Sequence, residues 1–543
     1  MANVIKQKRG TTDPGASDLV VGELAINTTD GGVFTKTDGG TVVEVGGSGG
    51  ATDIDGLSDA RANTTTYVHL GTGAGGTATN GTAVGINAGA SGMGLRTVYI
   101  GRSAGYRITG SYNTFVGENS GYGAIDAGTE PDSNTGVGSS TLFSLSSGDD
   151  NVAVGYEALY ATTTGAANTA CGRLSLRNNT TGEFNAANGA DALYSNTTGY
   201  KNTANGYQTL YSNTTGYYNT ASGVNALYWN TTGTFNTASG GDALYSNTTG
   251  YKNTANGVDA LRANTTGYEN TAVGYRAGYT NTTGRRNVAV GNGAGDSITT
   301  GEGTVLIGYS AGGALTTQAG AVYIGEFAGR QSTQAVNVII GRRAGYDITT
   351  GSGAVFIGGS AGGSATGNQN VLIGQTAGYN VSGDRNVCLG HQAGYTLTSG
   401  SNNIIIGREA EPSSATVSNE ITLGNSSTST LRCNTQTISS LSDARDKTDV
   451  QELPEGLDFI SKLNPVKFQW QTRDGNGKDG TYEAGFIAQE LQSAQRDADA
   501  DYLGLVMDEN PDRLEASYGK LVPMLVKAIQ ELKSEVEQLK ANV

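Results

Sequence analysis

The residues with the most chemical potential stand late in the sequence, in Leu441-Ser442-Asp443-Ala444-Arg445-Asp446-Lys447. A serine hydroxyl is a poor nucleophile near neutral pH until a base takes its proton. A lysine amine can be that base only if desolvation lowers its pKa. Read from the local sequence alone, Ser442-Asp443 is a helix start, since both residue types cap helices.

Other candidates are weaker. Asp242 and Asp259 share one position in successive repeats, and carboxylates stacked near 5 Å would suit a retaining glycosidase. Their ordinary reading is two solvated surface acids. Tyr160, Tyr194, Tyr211, Tyr228, Tyr245 and Tyr279 form one tyrosine column, and Tyr200, Tyr217, Tyr251 and Tyr268 a second. Exposed columns could stack on the sugar rings of a surface glycan; otherwise they cover glycines or fill grooves between chains. Cys171, Cys388 and Cys433 are too scattered for a disulfide framework or a zinc site and read as packing thiols. The Asn-Thr-Thr repeats match a glycosylation sequon, but without a signal peptide that match carries no meaning.

What positions these residues is a repeat. Glycines at Gly155, Gly172, Gly189, Gly206, Gly223, Gly240, Gly257, Gly274 and Gly291 stand 17 residues apart. Further motif glycines extend the series from Gly85 to Gly424, giving 21 coils. Such a period marks a solenoid, in which only stacked coils bury a core. Seventeen residues are too few for a strand and a helix, so β-coils and a rod are expected. The first motif position is Asn in every coil from Asn151 to Asn287, which predicts a hydrogen-bonded asparagine ladder.

Around it, Val305/Ile307, Val322/Ile324, Val338/Ile340, Val355/Ile357, Val371/Ile373 and Ile404/Ile406 alternate with Leu306, Tyr323, Ile339, Phe356 and Leu372. The flanking pairs are expected to fill the coil, and the large residues between them to point outward and pack several rods together. In the central coils the flanking positions turn polar, as in Thr203/Asn205 and Thr220/Ser222, so a hydrogen-bonded interior is expected there. Asn370-Val371-Leu372-Ile373-Gly374 and Asn287-Val288-Ala289-Val290-Gly291 resemble the recurring motif of trimeric autotransporter adhesin heads. That resemblance, over residues ~80–425, implies a β-roll homotrimer.

After Gly424 the repeat stops and Lys, Glu, Leu and Pro rise. The Ser442 stretch is followed by Gly485-Phe486-Ile487-Ala488-Gln489-Glu490-Leu491 and by Tyr518-Gly519-Lys520-Leu521-Val522-Pro523-Met524-Leu525. In this order the three blocks resemble the intramolecular chaperone domain of phage tail spikes, tail fibres and endosialidases. The resemblance implies a domain that trimerises a fibre, helps it fold and cuts itself off. It assigns Ser442 as nucleophile, Lys447 as its base and Leu441–Ser442 as the scissile bond, a single self-cleavage without turnover. Leu57-Ser58-Asp59-Ala60-Arg61 copies the first five residues, but Asn63 stands where the lysine would be, so no cut is expected at Ser58. Leu525, Ile529, Leu532, Val536, Leu539 and Val543 follow heptad steps in the final helix, predicting a short coiled coil.

Composition narrows the function. The net charge of −15 offers no basic footprint for nucleic acid, and no apolar run is long enough to span a membrane. Met1 to Gly22 lacks a signal-peptide core, so synthesis in the host cytoplasm is expected. The run Gly22-Glu23-Leu24-Ala25-Ile26-Asn27 resembles the N-terminal segment of many phage tail fibres, where it precedes a hairpin. The expected architecture is mainly β: residues 1–50 a virion-attachment unit, 51–80 a linker, 81–433 a β-solenoid shaft, and 434–543 an α/β chaperone domain. The expected function is a homotrimeric tail fibre of the virion, bound to tail proteins and contacting a host glycan or protein receptor, with no cofactor or metal. The rivals are a polysaccharide depolymerase spike and a bacterial trimeric surface adhesin.

Overall fold

The computed structural model describes residues 7–10, 24–27, 33–36, 42–44, 60–63, 67–71, 73–75, 80–123, 130–334, 336–428, 430–432, 442–471, 480, 482–508 and 514–542. Contacts divide the chain into two compact units, Met1–Ala321 and Val322–Val543.

In the first unit, strands Gln7–Gly10, Leu24–Asn27, Val33–Lys36 and Val42–Glu44 form a small sheet. Leu24–Ile26 pairs antiparallel with Val33–Thr35. Strand Ala60–Asn63 pairs antiparallel with Tyr67–Leu70, which in turn pairs parallel with Thr82–Val84. Parallel three-residue strands then follow coil by coil to Val305–Ile307, as a β-solenoid. The register is strict: Thr203, Ala204 and Asn205 lie over Thr220, Ala221 and Ser222. The second unit contains the coil strands from Val322–Ile324 to Ile421–Leu423 and the C-terminal domain.

Two glycines per coil answer to close backbone approach. Gly206 has φ +139°, and a Cβ there would stand 2.7 Å from the carbonyl oxygen of Gly223. A Cβ on Gly216 would meet Asn213 Oδ1 at 2.3 Å.

The inside and outside of the strand are the reverse of the sequence expectation. Leu306 in the first unit, and Tyr323, Ile339, Phe356 and Leu372 in the second, are fully buried. Val305, Val338, Ile340, Val355, Ile357, Val371 and Ile373 are only half-buried, and Ile307, Ile404 and Ile406 are exposed. Thr203/Asn205 and Thr220/Ser222 are likewise exposed, so they do not make the central interior polar. Alternation fixes which residues share a face but not which face is inside. The coil is so narrow that each strand contributes one inward side chain, and a second position fills what remains.

That second position stands six residues on. Ala187, Ala204, Ala221, Ala238 and Ala255 are matched by buried Leu193, Leu210, Leu227, Leu244 and Leu261. The large Tyr99 and Phe115 of the first unit are matched by Gly105 and Gly121, and Tyr323, Phe356 and Leu372 of the second by Gly329, Gly362 and Gly378. A Cβ on Gly362 would lie 2.7 Å from the Phe356 ring, so in these coils the strand centre and the position six residues on do not both hold a large group. The leucines sit at φ +50° to +54°, a left-handed conformation that costs an L-residue roughly 1–2 kcal/mol and is held here by burial of the side chain.

The asparagine ladder forms as expected. Asn219 Nδ2 donates to Asn202 Oδ1 at 3.1 Å and to Gly233 O at 2.8 Å, while Asn219 Oδ1 accepts from Asn236 N at 3.0 Å. A second ladder, not anticipated, runs through Asn179, Asn196, Asn213, Asn230, Asn247, Asn264 and Asn281 at 2.7–2.9 Å. These are the sequon asparagines, and their burial leaves no room for a glycan.

Asn219→Leu should therefore be far worse than a surface change. It strands the Asn236 N–H in a dry interior, at a cost of about 1–3 kcal/mol, and leaves the Gly233 carbonyl with Asn230 Nδ2 as its remaining side-chain donor. The denaturation midpoint should fall well below that of Thr220→Val on the exposed face, and equal midpoints would contradict the ladder's structural role.

Candidate self-processing site

The Ser442–Lys447 stretch folds as a compact loop. Asp443, extended at φ −71°, ψ 133°, caps a 3₁₀ turn over Ala444–Asp446 by accepting from Arg445 N at 2.9 Å. The Arg445 guanidinium folds back on the same carboxylate, with Nη2 to Oδ2 at 2.5 Å. That pairing holds the Asp443 carboxyl below the usual carboxylate range and raises the guanidinium's pKa. Lys447 leaves the turn extended, its N–H on the carbonyl of Ala444. Its side chain returns across the turn, and Nζ lies 2.6 Å from Ser442 Oγ.

The five-residue spacing thus puts amine and hydroxyl in direct contact, while Asp443 and Arg445 hold the turn between them. A neutral Lys447 amine at this distance could accept the Ser442 proton. Both side chains are exposed in the single chain. The geometry is in place without the burial that a lysine base requires. Leu441, the other side of the expected scissile bond, lies outside the described residues, as do Cys433, Ser58 and Val543.

Among the described residues, the domain around this loop has three α-helices, α1 (Leu457–Ile460), α2 (Ala488–Asp497) and α3 (Val522–Ala541). Phe459, Leu505, Leu521 and Met524 form its core. Glu531 of α3 caps α1 by accepting from Leu457 N at 2.7 Å. The second and third sequence blocks meet: Phe486 N donates to Tyr518 Oη at 3.1 Å, and the two rings stand edge to face. Among the described residues, no hydrogen bond or ion pair joins the Ser442–Lys447 loop to that pair.

The other sequence candidates resolve differently. Arg262 bridges Asp242 and Asp259 at 3.7 and 3.2 Å, which places a cation between the two carboxylates on the coil surface. The first tyrosine column stacks on itself, with Tyr194–Tyr211 at 5.0 Å and Tyr211–Tyr228 at 5.1 Å, both 5° from parallel. It extends beyond the sequence reading through Tyr106, Tyr122 and Phe143, and Arg177 lies between Tyr160 and Tyr194. The faces that would meet a sugar are thus covered by neighbouring rings, leaving the edges. The same 17-residue spacing at Arg177 and Arg262 could have signalled the interleaved cations. Cys388 is buried, which pushes its thiol up to about 12, and Cys171 is exposed. Among the described residues, no cluster of His, Cys, Asp and Glu could hold a metal, and no helix is long and apolar enough to cross a membrane.

Comparison with known proteins found a match near the C-terminus. Residues 442–500 match the peptidase S74 family, described as the chaperone of endosialidase. The match begins at Ser442 itself and ends before Tyr518 and α3. No curated protein and no solved structure matches the chain. A chaperone of this type implies assembly as a trimer. The chain therefore carries an endosialidase-type chaperone domain behind a β-solenoid, the arrangement of a tail fibre or tail spike with its own folding domain.

Proposed function

We propose that the chain is the fibre of a phage tail, assembled as a homotrimer by its C-terminal domain, which then cuts itself off before Ser442. The observation that carries the self-cleavage reading is the 2.6 Å contact between Lys447 Nζ and Ser442 Oγ. In the reaction the Ser442 oxygen attacks the carbonyl carbon of Leu441, and its proton passes to Lys447. The peptide C–N bond breaks as the amine of Ser442 takes a proton, and water then hydrolyses the ester. Burial of the exposed lysine by neighbouring copies would supply the missing desolvation and tie the cut to correct assembly.

Helix α3 supports the assembly reading. Its Met524 and Ala528 pack on the domain, while Leu525, Ile529, Leu532, Val536 and Leu539 are 40–66% exposed. A strip of this kind on one helix is the seam of a coiled coil waiting for partners. In the same reading the N-terminal unit attaches to tail proteins, and the solenoid meets a glycan or protein receptor on the host surface. A depolymerase reading is disfavoured by the Arg262 bridge across Asp242 and Asp259.

The chaperone role has its own test. A gene ending at codon 441 should yield aggregated or monomeric solenoid, whereas wild-type protein that loses residues 442–543 after folding should stay trimeric. Soluble trimer in good yield from the shortened gene would refute the role.

A further inference from the structure

We propose that the outward face of the first unit's coil strands is a homotypic association surface, and that a block of polar residues within it sets the register between chains. This inference rests on the trimer reading above and adds where the chains touch and how they align.

The face consists of the second and fourth motif positions, from Thr82/Val84 to Val305/Ile307. None of these positions is charged, although 15% of the chain is. The charged side chains of the same coils lie on the turns instead, as Arg102, Glu118, Arg173, Asp242 and Asp259 do. The Thr-Thr rows, such as half-buried Thr197 and exposed Thr198, are free of charge too, but on the strand face the absence of charge is joined by half-exposed valine and isoleucine, which is the composition of a contact surface rather than of a solvated one. Its chemistry repeats once per coil, near the ~4.8 Å strand spacing. A second copy of this chain, lying alongside in parallel, presents the same rows at the same spacing. That is the occupant the face fits.

Along the face the fourth position changes character twice. It reads Val137, Val154 and Cys171, then Asn188, Asn205, Ser222, Ser239 and Asn256, then Val273, Val290 and Ile307. The five polar side chains are exposed and make no hydrogen bond among the described residues. Their neighbours three positions earlier, such as Asn202 and Asn219, are fully engaged in the inner ladder. In register, polar residues of one chain meet polar residues of another and can bond across the seam. A slip of one coil sets Asn256 against Val273 and Cys171 against Asn188. Slipping two coils doubles the mismatches at each boundary, and each leaves an amide or hydroxyl unpaired in an apolar seam. Coils of equal length offer no other cue against slippage within this stretch, and a polar block in an apolar seam is how a coiled coil also fixes its register.

The test uses two tagged full-length chains, co-expressed, both carrying Cys388→Ala and Cys433→Ser. One keeps Cys171; the other has Cys171→Ala and Val137→Cys, two coils away on the same face. A short bifunctional maleimide should link Cys171 to Cys171, and the Val137→Cys sites to each other, with little mixed product. Converting Asn188, Asn205, Ser222, Ser239 and Asn256 to Val should raise the mixed product at least severalfold. If that variant aggregates, Asn205→Val, Ser239→Val and Asn256→Val together, which leave Asn188 and Ser222 to face each other in a two-coil slip and so halve its mismatches, should still raise it. Trimers that fail to link through Cys171 overturn the face, and an unchanged mixed fraction in a folded valine variant overturns the register role. A monomeric mass for the unaltered chain overturns the assembly reading, and this inference with it.

Discussion

Ser442→Ala, Lys447→Ala and Lys447→Arg should each leave the 543-residue chain whole, where the wild-type chain divides into pieces of 441 and 102 residues. The serine change removes the attacking oxygen. The alanine change removes the group that takes its proton, and a general base is worth about 10²–10⁴-fold in rate. Arginine keeps the charge but cannot give up a proton, so it separates a base from a mere cation. None of the three touches the domain core of Phe459, Leu505, Leu521 and Met524, so assembly should survive in all of them. Gel electrophoresis and intact mass read the outcome. A fully active Lys447→Arg, or a cut elsewhere, would sink the assignment of Lys447 as base.

The second large effect lies in the solenoid. Phe356→Asp should abolish the coil, whereas Val355→Asp, one residue away, should leave it folded and act on assembly alone. Phe356 is fully buried against Gly362. Removing such a ring costs about 3–5 kcal/mol, and an unpaired carboxylate in its place adds several more. Coils depend on their neighbours, so the loss spreads along the stack. Val355 faces outward and half-exposed, so a charge there meets water in the free chain and is felt only where chains meet. Thermal melting and oligomer mass separate the two. A wild-type melting profile for Phe356→Asp would return the large strand residues to the outside.

How far the sequence could be read is clearest in that same strand. The glycine period gave the coils, and the invariant asparagine gave the inner ladder, because both are properties of one position repeated. The side chain's direction is a property of two positions together. Val355-Phe356-Ile357 is apolar throughout, so alternation could not choose the inner face. The deciding signal was present six residues on, where glycine follows a large strand residue and leucine follows alanine. Asn213 was overlooked for a related reason: its Asn-Thr-Thr context invites a surface reading, while its burial follows only from the fold of the turn. At the C-terminus, the pairing of Ser442 with Lys447 came from family resemblance. The physical basis, a 3₁₀ turn closed by Asp443 and Arg445, needs the backbone angles to be seen.

The most direct test is the native mass of the wild-type protein, expressed whole and purified without protease. The expected result is an assembly of three chains each ending at Leu441, together with a separate 102-residue fragment beginning at Ser442. An uncut monomer of 543 residues would contradict both the assembly and the self-processing at once.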